Sequence, residues 1–252
     1  MGYKQGQTNH TLFIKLEANG RRTILIVYVD DIIISGDSIL EIENLKEQLR
    51  TAFEVKYLGE LRYFLGMEVA RSKEGIFISQ RKYMIDLLKE IDKFGCKPTS
   101  TPLEPNWKNK ENNIGEYQMD KGRYQCLVGK LIYLSLTRPD IEYAVSIVSQ
   151  FMHSPTRRHL EAAHHILRYL KGTPWKGLLF KKRQDKGISG YVDAYWAGSI
   201  EDSRSTSGYC TKLWCNLVTW RSKKQPAVAC SSAKAEYRAI TQGICGVIWV
   251  EK

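Results

Sequence analysis

The hydrophobic and polar positions divide this chain into segments of different character. Residues 11–16 and 23–29 are strand-like runs rich in β-branched side chains, joined through Asn19-Gly20, a strong hairpin-turn signal. Ser38 with Glu41 three positions on forms a capping box. It opens a helix whose apolar stripe is Ile39, Ile42, Leu45, Leu49 and Phe53. Residues 61–70 and 76–79 read as a second hairpin around Lys73-Glu74-Gly75, followed by a helix over 81–93 carrying Met84, Ile85, Leu87, Leu88 and Ile91. Residues 97–118, with Pro98, Pro102, Pro105 and several Asn, break the pattern and predict an irregular connection and a boundary. Helical spacing returns over about 121–136. Pro139 suits the first turn of a helix to about 152, and a third helix over 157–170 stops before Gly172 and Pro174. Residues 187–195, 208–214 and 217–222 then read as three strands, and 233–251 as a helix. Hairpins interleaved with helices in this way predict an α+β fold.

Composition narrows the class. A chain of 252 residues with 43% hydrophobic content has ample core and is not disordered wholesale. Its formal charge of +11, from 38 Lys and Arg against 27 Asp and Glu, points to a polyanionic partner, with a generally solvated basic surface as the equally weighted alternative. The basic residues concentrate between 157 and 186. Arg157, Arg158, Arg168, Lys171, Lys176, Lys181, Lys182, Arg183 and Lys186 face only Glu161 and Asp185 there, with Tyr169, Trp175 and Phe180 interleaved. Cations of this kind neutralise phosphates while aromatic faces support bases, although Tyr169 and Phe180 are equally suited to a core. The six cysteines form no CxxC pair, so no zinc site is expected. No secretory leader or membrane-spanning stretch is visible, which makes an intracellular, reducing compartment the expectation, in a cytoplasmic particle or the nucleus.

The most informative residues are Asp30 and Asp31, set between Ile24-Leu25-Ile26-Val27 and Ile32-Ile33-Ile34. Burying an unpaired charge costs several kcal/mol, so two adjacent carboxylates in such a run belong at a turn, in water or on a metal. A hairpin with both acids at its tip would offer oxygen ligands to one divalent cation such as Mg²⁺; an exposed acidic turn is the plain alternative.

Tyr28-Val29-Asp30-Asp31 is also the palm signature of reverse transcriptases, which this chain resembles. Residues 53–90, including Tyr57-Leu58-Gly59-Glu60-Leu61-Arg62-Tyr63-Phe64-Leu65-Gly66, are similar to the polymerase of copia-type retrotransposons just past that motif. Lys97-Pro98-Thr99-Ser100-Thr101-Pro102-Leu103 and Tyr133-Leu134-Ser135-Leu136-Thr137-Arg138-Pro139-Asp140-Ile141 resemble its thumb and connection. Leu167-Arg168-Tyr169-Leu170-Lys171-Gly172-Thr173 and Ser203-Arg204-Ser205-Thr206-Ser207-Gly208-Tyr209 follow in the family's order. The chain is thereby identified as resembling the C-terminal part of a copia-type Pol polyprotein over nearly its whole length.

That resemblance implies a partial polymerase palm of antiparallel hairpins and helices with the start of the thumb (1–95), helical thumb and connection (96–176), and an incomplete RNase H-like mixed α/β domain (177–252). Reverse transcription rests on two metal ions roughly 3.5–4 Å apart. By resemblance Asp30 is the direct metal ligand, Asp31 its weaker partner, and Tyr28 and Val29 line the approach of the primer end. Phe64, Leu65 and Gly66 belong to the hairpin that grips the primer; ordinary strand packing is the alternative. From the basic run itself, Arg157, Arg158, Arg168 and Lys171 are the expected nucleic-acid contacts. Val192-Asp193-Ala194-Tyr195-Trp196-Ala197-Gly198 and Ser231-Ser232-Ala233-Lys234-Ala235-Glu236-Tyr237 supply the first two RNase H acids, Asp193 and Glu236. The cofactor is Mg²⁺ or Mn²⁺; the partners are an RNA template, a DNA primer, their hybrid and deoxynucleotide triphosphates, with no membrane.

Departures temper the activity. The family's earlier palm Asp is expected upstream of Met1 and its third RNase H acid beyond Lys252. Tyr195, Lys234 and Tyr57 stand where acids are common. Because ligating groups act as a unit, half a metal site predicts almost no turnover by the chain alone. The competing expectations are a non-catalytic nucleic-acid-binding remnant and a relic without selected function.

Overall fold

A computed structural model describes residues 2–7, 9–105, 107, 120–182 and 186–251. The fold is α+β, with three antiparallel sheets and six α-helices among the described residues. The chain divides into two compact units, residues 1–61 and 62–252.

In the first unit, strands β1 (Lys4–Gln5), β2 (Leu12–Leu16), β3 (Arg22–Tyr28) and β4 (Asp31–Gly36) form one sheet in sequence order. Gly20 takes φ +81° in the turn between β2 and β3, as Asn-Gly steps require. Helix α1 (Ile39–Ala52) begins where Ser38 Oγ accepts the Glu41 amide at 3.4 Å. The second half of the expected capping box is used elsewhere. The Glu41 carboxylate accepts from Lys15 Nζ at 2.8 Å and Tyr3 Oη at 3.1 Å, so it ties α1 to β2. Only the middle of the apolar stripe is covered. Leu45 and Leu49 are buried, whereas Ile39 and Phe53 stay exposed.

The second unit opens with β5 (Tyr63–Phe64), β6 (Met67–Arg71) and β7 (Gly75–Ser79). The expected continuous strand over 61–70 is in fact broken at Leu65-Gly66, a tight turn that sequence signals did not reveal. Helix α2 is Arg81–Glu90. Of the irregular connection expected over 97–118, residues 106 and 108–118 lie outside the described residues; 97–105 carry no helix or strand. Helix α3 (Lys121–Ser135) is capped by Asp120, whose Oδ1 accepts the amides of Gly122 and Arg123 at 3.0 and 3.2 Å. Pro139 opens a single 3₁₀ turn that runs into α4 (Glu142–Ser149), shorter than the spacing predicted. Helix α5 (Arg157–Gly172) starts with His159 in the reciprocal role usually held by Glu: the Thr156 amide donates to His159 Nδ1 at 3.0 Å.

Helices α2 to α5 share one apolar core. Tyr124, Leu131, Ile141, Val148, Ile166, Leu167 and Leu170 are essentially inaccessible, and Met84 and Leu88 close it from α2. Tyr124 donates its phenol to the Val148 carbonyl at 2.7 Å; burial pushes its pKa well above the ordinary tyrosine value.

Strand β8 (Leu178–Lys181), which the sequence pattern did not lead us to expect, pairs with β7 and completes a sheet in the order β5-β6-β7-β8. The last sheet is β11-β10-β9, from β9 (Ile188–Tyr195), β10 (Thr206–Leu213) and β11 (Asn216–Lys224), followed by α6 (Ser232–Glu251). Ala235, Ala239 and Gly243 give α6 a smooth inner face. A Cβ on Gly243 would lie 2.2 Å from Val192 Cγ1, so the helix sits directly on the sheet. Asn216 clamps the two sheets: its side-chain oxygen accepts the Lys181 amide at 2.7 Å and its nitrogen donates to the Lys181 carbonyl at 2.9 Å.

Candidate metal and nucleic-acid sites

Asp30 and Asp31 occupy the tip of the β3–β4 hairpin, where Tyr28 faces Asp31 across a two-residue turn of Val29 and Asp30. Both carboxylates are exposed, as are Tyr28 (47%) and Val29 (81%). Val29 holds φ 50°, a left-handed conformation that a β-branched residue adopts only at a cost of about 1–2 kcal/mol. Backbone strain of this kind collects at functional turns. It sets Asp30 in the turn and Asp31 at the first position of β4, both open to solvent.

Asp193 lies on β9, the edge strand of its sheet, and Glu236 reaches the same strand from α6. Glu236 Oε1 accepts the Ala194 amide at 3.3 Å, one residue from Asp193. Gly190 and Val192 face α6, with Val247 and Gly243 respectively against them. Strand alternation therefore puts Asp193 on the opposite face of β9, where Gly208, its partner in register, leaves open space. The two acids flank one strand from different sides. Among the described residues no group of three or more His, Cys, Asp and Glu is placed to hold a metal ion. Two carboxylates fit part of a hard-cation site, and Mg²⁺ draws its remaining oxygens from elsewhere.

The expected nucleic-acid contacts divide sharply. Arg157 is exposed and pairs with Glu161 at 3.2 Å. Arg158 turns inward: its guanidinium stacks 4.8 Å from the Trp107 ring and donates to the Trp107 carbonyl. Arg168 is half-buried, with Nε enclosed. Lys171 donates to the Cys96 carbonyl at 2.6 Å while lying 5.8 Å from the Phe94 ring. Tyr169 is core, with its hydroxyl donating to Asp140 at 2.7 Å. Spacing on a helix shows charge but not direction, which is why this run looked more open in sequence than it is.

In the β5–β6 hairpin, Phe64, Leu65 and Gly66 are half-buried, whereas Tyr63 is 51% exposed with Lys82 Nζ 5.5 Å from its ring centre. Sequence reading missed Tyr63 and Lys82; adjacency to Phe64 was the only signal. It also missed Asp140, which accepts from Arg138 Nε and Nη2 at 2.8 Å beside Lys176. A groove of about 700 Å³ between α3, α4 and β11 is lined by Glu142, Ser146, Trp220, Arg221 and Lys223 but by neither acidic pair.

The family described as "Reverse transcriptase (RNA-dependent DNA polymerase)" matches residues 1–105, the stretch that carries the Asp30-Asp31 tip and the β5–β6 hairpin. The Pol polyprotein of transposon RE1 from Arabidopsis thaliana is 40% identical over 250 residues, 99% of this chain and 17% of that polyprotein. The chain belongs to the copia-type retrotransposon Pol family. Further family members include an uncharacterized mitochondrial protein of Arabidopsis thaliana, 41% identical over 89% of this chain and 93% of its own length. The putative transposon Ty5-1 protein of Saccharomyces cerevisiae is 33% identical over 94% of this chain and 77% of its own. No solved structure matches the chain. Asp193 and Glu236 lie outside the reverse-transcriptase match but inside the stretch shared with the RE1 polyprotein. Reverse transcriptases generally use divalent metals. No helix among the described residues is long and apolar enough to cross a membrane.

Proposed function

We propose that the chain is a piece of a copia-type reverse transcriptase and RNase H that holds primer–template duplex but does not turn over alone. In this reading residues 1–95 are palm and early thumb, 96–176 thumb and connection, and 177–252 the RNase H-like part. Asp30 and Asp31 take Mg²⁺ or Mn²⁺ at the polymerase centre, with Asp30 the direct ligand. Asp193 and Glu236 do so at the nuclease centre. Template RNA, primer DNA and their hybrid are the partners, and deoxynucleotide triphosphates the substrates of the polymerase centre.

The observation that carries the reading is the strained Val29 turn, which sets two exposed carboxylates at a hairpin tip inside the reverse-transcriptase match. Two-metal transfer needs more protein oxygens than one such pair supplies, and no third His, Cys, Asp or Glu joins either pair among the described residues. The test is primer extension and hybrid cleavage by the purified chain with Mg²⁺. Neither is expected above background, while an RNA–DNA hybrid binds with an affinity that falls steeply with salt. Robust extension abolished by Asp30→Asn would overturn the inactivity. Failure to bind any duplex at low salt would leave a relic without function.

A further inference from the structure

The β5–β6 turn is poorly equipped to hold itself. Strand β5 has two residues, and both central positions of the turn are left-handed: Leu65 at φ 48° and Gly66 at φ 76°. Glycine adopts that conformation freely but leucine does not. As the edge strand of the β5-β6-β7-β8 sheet, β5 is held by two paired residues only, so contacts from outside the sheet matter for its turn.

Two tyrosines from different helices brace that turn. Tyr133 of α3 donates its phenol to the Leu65 carbonyl. The rings of Tyr133 and Tyr83 pack edge to face at 5.2 Å and 73°. Both close over Gly66, where an added Cβ would lie 3.5 Å from Tyr133 Cε1 and from Tyr83 Cδ2. Helix α2 provides Tyr83 and, one residue earlier, Lys82, whose ammonium sits by the exposed Tyr63 ring at the mouth of the same hairpin. The brace therefore fixes the turn and also fixes an aromatic face beside a cation. That combination supports a nucleotide base and neutralises its phosphate.

We infer that Tyr133 is a positioning residue that locks the Leu65-Gly66 turn and so presents Tyr63 and Lys82 to the end of the primer strand. This rests on the reading of the chain as a primer–template binder. Its consequence is specific: the phenol of Tyr133 touches no nucleic acid, yet discrimination of a primer end depends on it.

The test compares two fluorescein-labelled RNA–DNA duplexes of equal paired length, one blunt and one with a recessed DNA 3′ end, by fluorescence anisotropy on the full chain. The unaltered chain is expected to prefer the recessed end at least threefold. Tyr133→Phe keeps the ring, so blunt-duplex affinity should match the parent and the melting temperature should fall only by what one lost hydrogen bond costs, while the preference collapses. Tyr63→Ala, an exposed change that leaves the brace intact, should lose the same preference. Gly66→Ala, strained at its positive φ, should lose it too. A preference that survives in Tyr133→Phe overturns the positioning role and leaves the binding reading standing. A parent chain that binds both duplexes equally well overturns the primer-end reading, and the inference with it; a parent that binds neither overturns both.

Discussion

Residues 1–61 and the helical core of α2 to α5 are built on different terms. In the first, the buried hydrophobic side chains among the described residues are Leu45 and Leu49, while Ile39, Leu40 and Phe53 are more than 60% exposed. In the second, Tyr124, Leu131, Ile166 and Leu170 are inaccessible, and the helices interlock through one continuous cluster. The acidic tip belongs to the thinly packed unit. Its shape is set by backbone geometry, a two-residue turn with a left-handed Val29, more than by side-chain packing. The core sets positions by packing and leaves its charged groups to buttress it. The tight core and the exposed acidic tip thus lie in separate parts of the sequence, and each part should answer to different substitutions.

The largest expected effect is on the core. Leu131→Ala removes a fully enclosed side chain from α3 and should cost about 2–5 kcal/mol of unfolding free energy. Ile33→Ala, at a half-buried position on β4, should cost roughly 1 kcal/mol. Urea denaturation of the two variants measures both. Equal losses would break the comparison, since they would mean the first sheet is packed as tightly as the helices. Hydrogen exchange gives an independent reading: amides of α3 and α5 should outlast those of β2 and β3.

Next comes the electrostatic buttress. Burial raises the pKa of Asp140, but hydrogen bonds from Arg138 and Tyr169 and the charges of Arg138 and Lys176 outweigh it and hold it at about 2. A carboxylate depressed in the folded state stabilises above its unfolded pKa near 3.8 and loses that stabilisation as pH falls toward 2. With partial screening by solvent, its contribution is about 1–2 kcal/mol. Asp140→Asn should therefore lower stability at pH 6 and flatten the acid limb between pH 4 and pH 2. A parent chain equally stable at pH 5 and pH 2.5 would remove this network from the account.

Much of this was legible from residues alone, and the failures are instructive. Ser38 and Gly20 mark their cap and turn because a hydroxyl or a missing Cβ has one local use there. The paired acids at 30 and 31 could be placed at a turn because burial without partners is too costly. The break at Leu65-Gly66 was invisible because leucine is an unfavourable left-handed residue; only the tyrosines of distant helices make it tolerable. Strand β8 hid in a basic run because its pairing with β7 crosses about a hundred residues. The cations at 158 and 171 were visible, but not their turn toward Trp107 and Cys96, since direction depends on tertiary neighbours. The acids at 193 and 236 were visible as residues; that they flank β9 from opposite faces needed the register of the sheet.

A smaller effect, with the opposite sign, sharpens the comparison at the tip. Val29→Gly relieves a left-handed valine while adding backbone freedom to the unfolded chain. The net result should be a gain of up to about 1 kcal/mol for the first unit, read as a higher melting temperature. Loss of stability instead would mean that the Val29 side chain packs in a way its 81% exposure denies.

The smallest stability change belongs to the most informative residue. Asp30 is exposed beside a second carboxylate, so Asp30→Asn removes like-charge repulsion and no packing; a shift within about 0.5 kcal/mol is expected. Its effect should appear only with a divalent cation present. Millimolar Mg²⁺ or Mn²⁺ that binds the folded tip raises the melting temperature of the parent through linkage, and that rise should vanish in Asp30→Asn and shrink in Asp31→Asn. The asymmetry follows from position: Asp30 sits within the turn, whereas Asp31 is the first residue of β4 and already paired in register with Tyr28. An identical cation-induced rise in all three proteins would move the cation elsewhere on the chain and strip the hairpin tip of its chemical role.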